Sequence, residues 1–250
     1  MDTRYWGPSG WRLLHLMSFS STPNKEDVCC FFNTLAYVLP CKYCRKSFSE
    51  NILKDPVTEA ESIPKWLWRI HNRVNAKLRI QHLCKGDDPS FQSVEKMYKE
   101  RLAAGCTRTT FEGWEFLFSI AEAHPLSRQG RATVPIPGHP ALEELDSPLK
   151  KNLWNVLTPE ERMVQYTKFW TLLPKVLPFS EWSTEWKGRI PGTRKDLLRY
   201  LWGIRCTLET KLELLNRTSY SSLCKELQHH RSGCSSSVRG KTCRKKRGSR

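Results

Sequence analysis

The sequence lacks three features that would each define a class of protein. No apolar run is long enough to cross a bilayer, since the uncharged stretch from Val28 to Cys41 has only 14 residues and a span needs about 20. Alternating runs of strand length are missing as well. Ten cysteines in 250 residues fall below the density of disulfide-stapled scaffolds. The chain is therefore predicted to be globular, with a hydrophobic core of its own.

Acidic residues are absent from the last 23 positions, which carry eight lysines and arginines. This segment supplies half of the net charge of +16, so the body of the chain is only mildly basic. A composition of serine, glycine, lysine and arginine cannot bury enough surface to fold. We interpret residues 231–250 as a flexible basic tail, which either keeps the protein soluble or contacts phosphates, nucleic acid or acidic partners.

Apolar residues recur at helical spacing nearly throughout the chain, as at Leu67, Ile70 and Val74. Helix starts are marked by proline or capping signals at three places: Ser62 with Pro64, Ser90, and Thr158 with Glu161. Prolines and glycines between positions 125 and 148 mark a connector. The predicted fold class is all-α.

Four short patterns of the first half recur in the second half, in the same order. Gly10-Trp11-Arg-Leu-Leu14 returns as Gly113-Trp114-Glu-Phe-Leu117, 103 positions later. The other pairs are Val38–Pro40 with Val176–Pro178, Leu67–Ile70 with Leu201–Ile204, and Ser90–Val94 with Ser219–Leu223. Chance similarity between amphipathic helices is the alternative. We predict a catalytic helical bundle at residues 1–106, a degenerate helical repeat at 107–230, and the tail at 231–250.

The two halves differ at the positions that could carry chemistry. Phe179 and Trp182 stand opposite Cys41 and Cys44 in the repeat. A second set also differs: Arg205, Cys206 and Glu209 stand opposite His71, Asn72 and Asn75. The second half is therefore expected to have kept the packing residues and lost the chemistry.

Cys41-Lys-Tyr-Cys44 is the only CxxC spacing in the sequence, which indicates a redox dithiol. A zinc site would need a second such pair, so no metal site is predicted. Pro40 favours a helix start at Cys41, where unpaired backbone N–H groups and the helix dipole lower the pKa of a thiol. The alternative is an inert structural disulfide within one turn, which would constrain the unfolded chain little.

His71 and Asn75 are four residues apart and share a helical face, with Asn72 beside them. Buried amide and imidazole groups need hydrogen-bond partners, and a bound heterocycle would supply them. The alternative is a satisfied core histidine with solvated asparagines. Trp11 and His15 are also four apart, and taken alone they are more typical of a core.

Three segments in this order resemble a known family: Trp6–His15, Pro40–Cys44 and Trp66–Leu78. They are similar to the FAD-dependent sulfhydryl oxidases of the Erv/ALR family, and most to those of large cytoplasmic DNA viruses. The resemblance covers about residues 5 to 106 and implies a four- or five-helix bundle that binds FAD. By resemblance, the FAD contacts are Gly7, Trp11, His15, Trp66, His71, Asn72, Val74, Asn75, Lys77, Leu78 and Tyr98.

The resemblance also implies a reaction. A substrate dithiol, in a protein or a small molecule, reduces the Cys41–Cys44 disulfide at an exposed Cys41, and Cys44 passes two electrons to FAD. Molecular oxygen then accepts them and leaves as hydrogen peroxide. Because the motifs have a viral character and no apolar leader is evident, we expect a late viral protein in the host cytoplasm or the virion.

The chain departs from the family pattern after the asparagine-containing helix. An inserted segment leaves Arg79 and Lys85 as candidates for the FAD phosphates. Family members usually carry a structural disulfide near the last helix, and Cys84 with Cys106 is the pair that this resemblance suggests. A distal pair that relays electrons is also common among them. Cys234 and Cys243 are the candidates for that relay, although they are equally compatible with a structural bond or free thiols.

The family resemblance leaves two questions about assembly and function open. Erv/ALR enzymes are commonly dimers, so this chain is expected to be a pseudo-dimer through its second repeat, or a homodimer. A rival prediction is a non-enzymatic helical adaptor with a nucleic-acid-binding tail. A colourless, cysteine-ligated zinc module is a third alternative.

Overall fold

The computed structural model describes residues 1–21, 24–106, 111–127, 130, 134–211 and 218–231. These residues form helices, turns and connecting segments without any β-strand, so the predicted all-α class is confirmed. The first half contains α1 (Thr3–Phe19), α2 (Lys25–Val38), α3 (Lys42–Lys54), α4 (Ile63–Ile80) and α5 (Phe91–Ala104). The second half contains α6 (Trp114–Glu122), α7 (Pro148–Leu153), α8 (Pro159–Val176), α9 (Ser180–Ser183), α10 (Arg194–Lys211) and α11 (Tyr220–His230). Among the described helices, none combines the length and apolar character needed to cross a membrane.

The helix starts follow the local signals in the sequence. Thr158 and Glu161 form the predicted capping box, in which each side chain accepts a hydrogen bond from the other residue's backbone N–H, at 3.1 and 2.8 Å. The Ser90 hydroxyl accepts from the N–H of Ser93 at 3.2 Å and begins α5. Ser62 is the N-cap of α4, with a proline in the first turn. These contacts satisfy backbone donors that a helix end leaves without an intrahelical partner.

One continuous cluster of buried apolar side chains runs through both halves of the chain. The α2 helix of the first half and the α8 helix of the second half pack against each other. Phe31 and Phe169 stack between them with 5.1 Å between ring centroids. The predicted boundaries at 106 and 230 remain predictions, and the tail from 232 onward lies outside the described residues.

The contact between α1 and α6 is reciprocal. A Cβ atom placed on Gly10 would lie 2.9 Å from the ring of Phe116, and one placed on Gly113 would lie 2.5 Å from Leu13. Gly10 and Gly113 are 103 positions apart, and so are Leu13 and Phe116. Gly10 faces Phe116, which corresponds in the repeat to Leu13, and Gly113 faces Leu13. Such an exchange of equivalent contacts is typical of two units related by a two-fold axis. The helices α2 and α8, which correspond in the sequence repeat, also pair with each other.

The short helix α7 fixes the connector between the halves to the first half. Asn152 donates its side-chain N–H groups to the carbonyl of Ala36 at 2.6 Å and to the hydroxyl of Ser49 at 2.9 Å. These bonds join α7 to the end of α2 and to α3. The Lys46 ammonium lies over the Trp154 ring, 3.8 Å from its centroid, and adds a second contact to α3.

Candidate functional site

The two cysteines of the CxxC motif lie at the start of α3. Cys41 is the N-cap residue, as the preceding proline predicts, and its carbonyl accepts the first helical hydrogen bond from Arg45 N–H at 2.9 Å. Cys41 has no exposed surface, whereas Cys44 is partly exposed. The expectation of an exposed Cys41 is therefore not met in this structure, because its side chain joins the buried core at the α2–α3 turn.

A cavity of about 510 Å³ lies beside Cys44. It is walled by residues of α1, α3 and α4, with Tyr98 from α5 and Phe116 from α6. The structure brings these predicted cofactor contacts together around it: Gly7, Trp11, His71, Val74, Asn75, Lys77, Leu78 and Tyr98. Three separate segments of the sequence thus converge on one apolar cavity next to the Cys41–Cys44 pair.

Two histidines and two aromatic rings form a stacked group at the wall of this cavity. The Trp11 and His71 rings are nearly parallel, with centroids 3.9 Å apart. His15 Nε2 and His71 Nδ1 are 3.1 Å apart, and His15 stacks on Tyr98 at 5.0 Å on its other side. His15 Nδ1 is buried and has no hydrogen-bond partner among the described residues. His15 itself lies behind His71, so it supports the wall.

Burial lowers the pKa of both histidines. The pKa of His15 falls to about 3, first because of burial and then because of the neighbouring His71. The pKa of His71 falls to about 4 through burial, against an opposing effect of Asp88. Both rings are therefore neutral at pH 7, so within this pair one ring donates the hydrogen bond and the other accepts it.

We expect stability to decrease in acid because of these two rings. The unfolded chain binds protons at its histidines below about pH 6.5, whereas folded His15 and His71 bind them only near pH 3 and 4. The free energy of unfolding therefore falls between pH 6.5 and 4, by up to about 1.4 kcal/mol per pH unit for each ring. Urea unfolding of the full chain at several pH values measures this slope. His139→Gln, at an exposed histidine, is the control and should leave the slope unchanged.

Three predicted cofactor contacts do not line the cavity: His15, Trp66 and Asn72. Trp66 is fully buried in the core, where its indole N–H donates to the carbonyl of Asp55 at 2.8 Å and its ring meets Phe32 and Phe48 edge-on. Asn72 is on α4 but does not belong to the lining either. The helical spacing predicted that His71 and Asn75 share a face, but it did not predict that the neighbouring Asn72 lies outside the cavity wall.

The structure does not bring the two cysteines of the expected structural disulfide together. The Cys84 thiol donates to the carbonyl of Asn75 at 3.5 Å and lines the cavity. Cys106 is buried elsewhere, and burial followed by the nearby Glu181 raises the pKa of its thiol. Both are free thiols in this structure. Cys234 and Cys243 lie outside the described residues.

The inserted segment after α4 contributes a carboxylate that the sequence analysis missed. Asp88 accepts from the Asn75 amide at 2.8 Å and from Arg79 at 2.6 and 3.0 Å. Arg79 first and Asn75 also hold the pKa of this carboxyl below its ordinary value. Arg79 is therefore engaged by the insertion, and Lys85 is exposed. The basic groups that do line the cavity are Arg12 and Lys77.

Other lining residues carried a weaker sequence signal. Tyr43 lies inside the CxxC motif and lines the cavity, and so does Trp6, whose motif had been noted only for the resemblance. Phe116 belongs to the second half, so its place in the wall depends on how the two halves pack against each other. Further lining residues outside the prediction are Thr3, Pro8, Gly10, Leu14, Leu35, Leu39, Ser47, Phe48 and Gln81.

The corresponding region of the second half is filled with aromatic side chains. Phe179 is the N-cap of α9 with backbone angles close to those of Cys41, at φ −121° and ψ 134° against φ −128° and ψ 129°. Trp182 stands in the place of Cys44 and is buried against Phe111, with ring centroids 4.6 Å apart. Phe111 also contacts Trp114, the counterpart of Trp11, at 4.4 Å.

An ion pair replaces the remaining polar groups of the site in the second half. Arg205 Nε donates to Glu209 Oε1 at 2.6 Å, and Glu209 is buried. In the sequence repeat these positions correspond to His71 and Asn75. A helical face that carries a histidine and an amide in the first half thus carries a self-contained pair in the second. These groups satisfy each other without a bound molecule.

The first half is a helical bundle with a CxxC pair at a helix N-cap. A cavity walled by tryptophan and histidine lies beside this pair. Residues 8–99 match the sequence model of the Erv1 / Alr family, which confirms the resemblance for this part of the chain. The similarity to this family thus lies in the first half of the chain. Among the described residues, no group of three or more histidine, cysteine or acidic side chains has an arrangement suited to a metal ion.

Three curated proteins are similar to part of this chain. A probable FAD-linked sulfhydryl oxidase, R368 of Acanthamoeba polyphaga mimivirus, is 35% identical over 85 residues, covering 30% of this chain and 59% of that protein. The mitochondrial FAD-linked sulfhydryl oxidase ERV1 of Saccharomyces cerevisiae is 33% identical over 85 residues, covering 31% and 45%. Sulfhydryl oxidase 1 of Arabidopsis thaliana is 31% identical over 101 residues, covering 37% and 19%.

The similarity covers only part of this chain and only part of each relative. This chain spans less than two thirds of the length of each of these relatives. The family match ends at residue 99, before the second half begins. No solved structure gives a significant match to the chain.

Proposed function

We propose that this protein is an FAD-linked sulfhydryl oxidase that forms disulfide bonds in thiol-containing substrates. The observation that carries the proposal is the position of Cys44 in the wall of the cavity that Trp11 and His71 also line. A cysteine pair that exchanges electrons with a bound heterocycle must lie against it. The names of the relatives support the same reaction.

The residues around the cavity fit FAD. Apolar and aromatic side chains, including Trp11 and Tyr98, offer surfaces for planar rings. Trp6 lines the cavity, and its buried indole N–H has no hydrogen-bond partner among the described residues, so a polar edge of a bound heterocycle would satisfy it. We assign the phosphates to Arg12 and Lys77, because these are the arginine and lysine side chains that line the cavity. When bound, FAD supplies the two-electron link between a dithiol and molecular oxygen, which leaves as hydrogen peroxide.

The cysteine pair has two roles in this proposal. A substrate thiolate attacks one sulfur of the Cys41–Cys44 disulfide, and a second substrate thiol resolves the mixed disulfide. The substrate is oxidised to a disulfide, and the pair gains two electrons and becomes a dithiol. Cys44 lines the cavity, so we assign to it the transfer of electrons onward. Cys41 is buried, and substrate attack on it requires movement at the α2–α3 turn.

We also propose that Cys234 and Cys243 relay electrons from substrate to this pair. The last described residues lie beside the start of α1, where His230 stacks on Tyr5 at 4.2 Å and its carbonyl accepts from Asp2 N–H at 3.0 Å. Thr3, in the same turn, lines the cavity. Twelve residues separate Arg231 from Cys243, and such a length can extend up to about 40 Å. The tail thus starts on the cavity side of the molecule.

The second half is proposed to act as a built-in partner for the first. The reciprocal contacts of Gly10 with Phe116 and of Gly113 with Leu13 support a pseudo-dimer, because isologous packing is the pattern of a two-fold pair. The aromatic infill around Trp182 supports a single catalytic site per chain. The mimivirus relative supports a viral setting, with thiol proteins of the host cytoplasm or virion as proposed substrates. Contact of the basic tail with nucleic acid remains a prediction.

The visible spectrum and oxygen consumption of the purified full chain test the proposal. We expect a yellow protein with flavin absorption, which consumes oxygen when dithiothreitol is added and produces hydrogen peroxide in proportion. A colourless protein that also fails to bind added FAD would contradict the proposal and favour a helical adaptor. A yellow protein without thiol-dependent oxygen uptake would contradict the assigned reaction, although not the cofactor.

A further inference from the structure

Arg45 directly follows Cys44 and lies one helical turn after Cys41. Its side chain is only 5% exposed. The guanidinium group donates to the carbonyl of Leu39 at 3.0 Å and to Asn155 Oδ1 at 2.6 Å. These two hydrogen bonds fix the orientation of the guanidinium group. A fixed cation is thus built into the turn that carries the redox pair.

Asn155 reaches this turn from the connector between the two halves. It is 5% exposed and adopts φ +58°, a left-handed conformation that non-glycine residues other than asparagine and aspartate rarely adopt. Its amide donates to the carbonyl of Val134 at 3.0 Å while its oxygen accepts from Arg45. The bonds from Asn152 to Ala36 and Ser49 hold the adjacent helix α7 in position. The fold therefore holds the side-chain oxygen of Asn155 against Arg45 of α3.

We propose that Asn155 is a positioning residue for the Cys41–Cys44 pair: it fixes the Arg45 guanidinium at the base of the CxxC turn, so that the cation stabilises the thiolate of the reduced pair. The proposal rests on the proposed function, because a redox role of the pair is assumed. A nearby positive charge lowers the pKa of a thiol, and a stabilised thiolate shifts the dithiol–disulfide equilibrium toward the reduced form. The second half thus contributes to the chemistry of the first.

Other charges face the same region and act in the same direction. Arg162 on α8 is buried, and its pKa is lowered first by burial and then by the charge of Arg45, which indicates that the two guanidinium groups are close. Lys42 Nζ donates to the carbonyl of Val134 at 3.3 Å. Lys46 lies over Trp154 and 3.7 Å from Glu50, which offsets its charge. Arg45 is distinguished from these groups by its two fixed acceptors.

The test is the equilibrium of the Cys41–Cys44 pair with reduced and oxidised glutathione, measured on the full chain by thiol alkylation. In the forward direction two glutathione molecules are oxidised while the disulfide becomes a dithiol, so electrons balance. Asn155→Gly retains the left-handed backbone and removes only the side chain. We expect it to shift the equilibrium constant toward the disulfide by about tenfold, which corresponds to about 30 mV.

Two further variants separate positioning from general stability. Arg45→Lys keeps the charge but cannot bind both acceptors, so it should shift the constant in the same direction, and the double variant should shift it no further than the larger single change. Asn51→Ala removes a buried amide of the same helix, which donates to the Ser47 carbonyl at 2.9 Å, and should lower stability without moving the constant.

An unchanged constant in Asn155→Gly would overturn the proposal, and so would additive shifts in the double variant. If Asn155→Gly does not fold, Arg45→Lys alone decides, because an unchanged constant there removes the role of the fixed cation. This measurement requires no flavin. A wild-type protein without flavin-linked oxygen uptake would contradict the proposed function, whereas unchanged constants would contradict only the role of Asn155.

Discussion

Cys44→Ser is expected to lower thiol-dependent oxygen consumption by about three orders of magnitude or more, because it removes the sulfur that lines the cavity. Cys41 alone cannot form the intramolecular disulfide that a substrate thiolate attacks, so no sulfur pair remains to accept the two electrons. The flavin absorption should persist, since the other walls of the cavity are untouched. Oxygen-electrode rates with dithiothreitol, combined with the visible spectrum of the same sample, measure both effects.

Cys30→Ser is the matched control for this change. Cys30 is a half-exposed thiol on α2 that does not line the cavity, so oxygen uptake should stay within about twofold of wild type. Full activity in Cys44→Ser would show that electrons do not pass through the CxxC pair. Equal losses in both variants would point to a general effect of removing thiols from the core.

Gly10→Val and Gly113→Val are each expected to lower the free energy of unfolding by about 3 kcal/mol. A Cβ atom at either position would approach Phe116 or Leu13 within 2.9 or 2.5 Å, so the α1–α6 contact must open. The two losses should be similar because the contacts are reciprocal. Urea unfolding followed by circular dichroism measures them, and light scattering of the wild type should give a single chain of 29.2 kDa.

Gly203→Ala is the control for this pair. Gly203 lies within α10 and has open space around its Cβ position, so alanine should raise stability by up to about 1 kcal/mol through helix propensity. Stabilisation in all three variants would mean that the α1–α6 contact is loose. A stable homodimer of wild-type chains would contradict the view that the second half occupies the partner's place.

Local features of the fold were predictable because they depend on neighbours in the sequence. The capping box at Thr158, the start of α4 after Ser62 and the N-cap position of Cys41 all follow from residues within one helical turn. The shared face of His71 and Asn75 followed from a spacing of four. Eight of the eleven predicted cofactor contacts line the cavity, and seven of these eight lie in the motifs on α1 and α4.

Long-range features were not predictable, because they depend on which elements pack together. Trp66 has the pattern of a flavin contact, but it is buried against Phe32 from another helix. No sequence signal indicated a partner for Arg79 in the insertion, yet Asp88 binds both Asn75 and Arg79. Cys84 and Cys106 could be paired only by resemblance, and their separation depends on where the segments after α4 and α5 lie. Asn155 lies between two helices, so helical periodicity did not identify it.

The replacement of Cys44 by Trp182 in the second half has a consequence for how this chain can evolve. In an assembly of two identical chains, every substitution appears in both subunits, so a change that improves the support of a site also alters the site itself. Here one gene encodes two halves that accept substitutions independently. Under the proposed function, the half without the cysteine pair is released from the demands of catalysis. Selection can then adapt it for anchoring and orienting its neighbour, which no pair of identical chains can do.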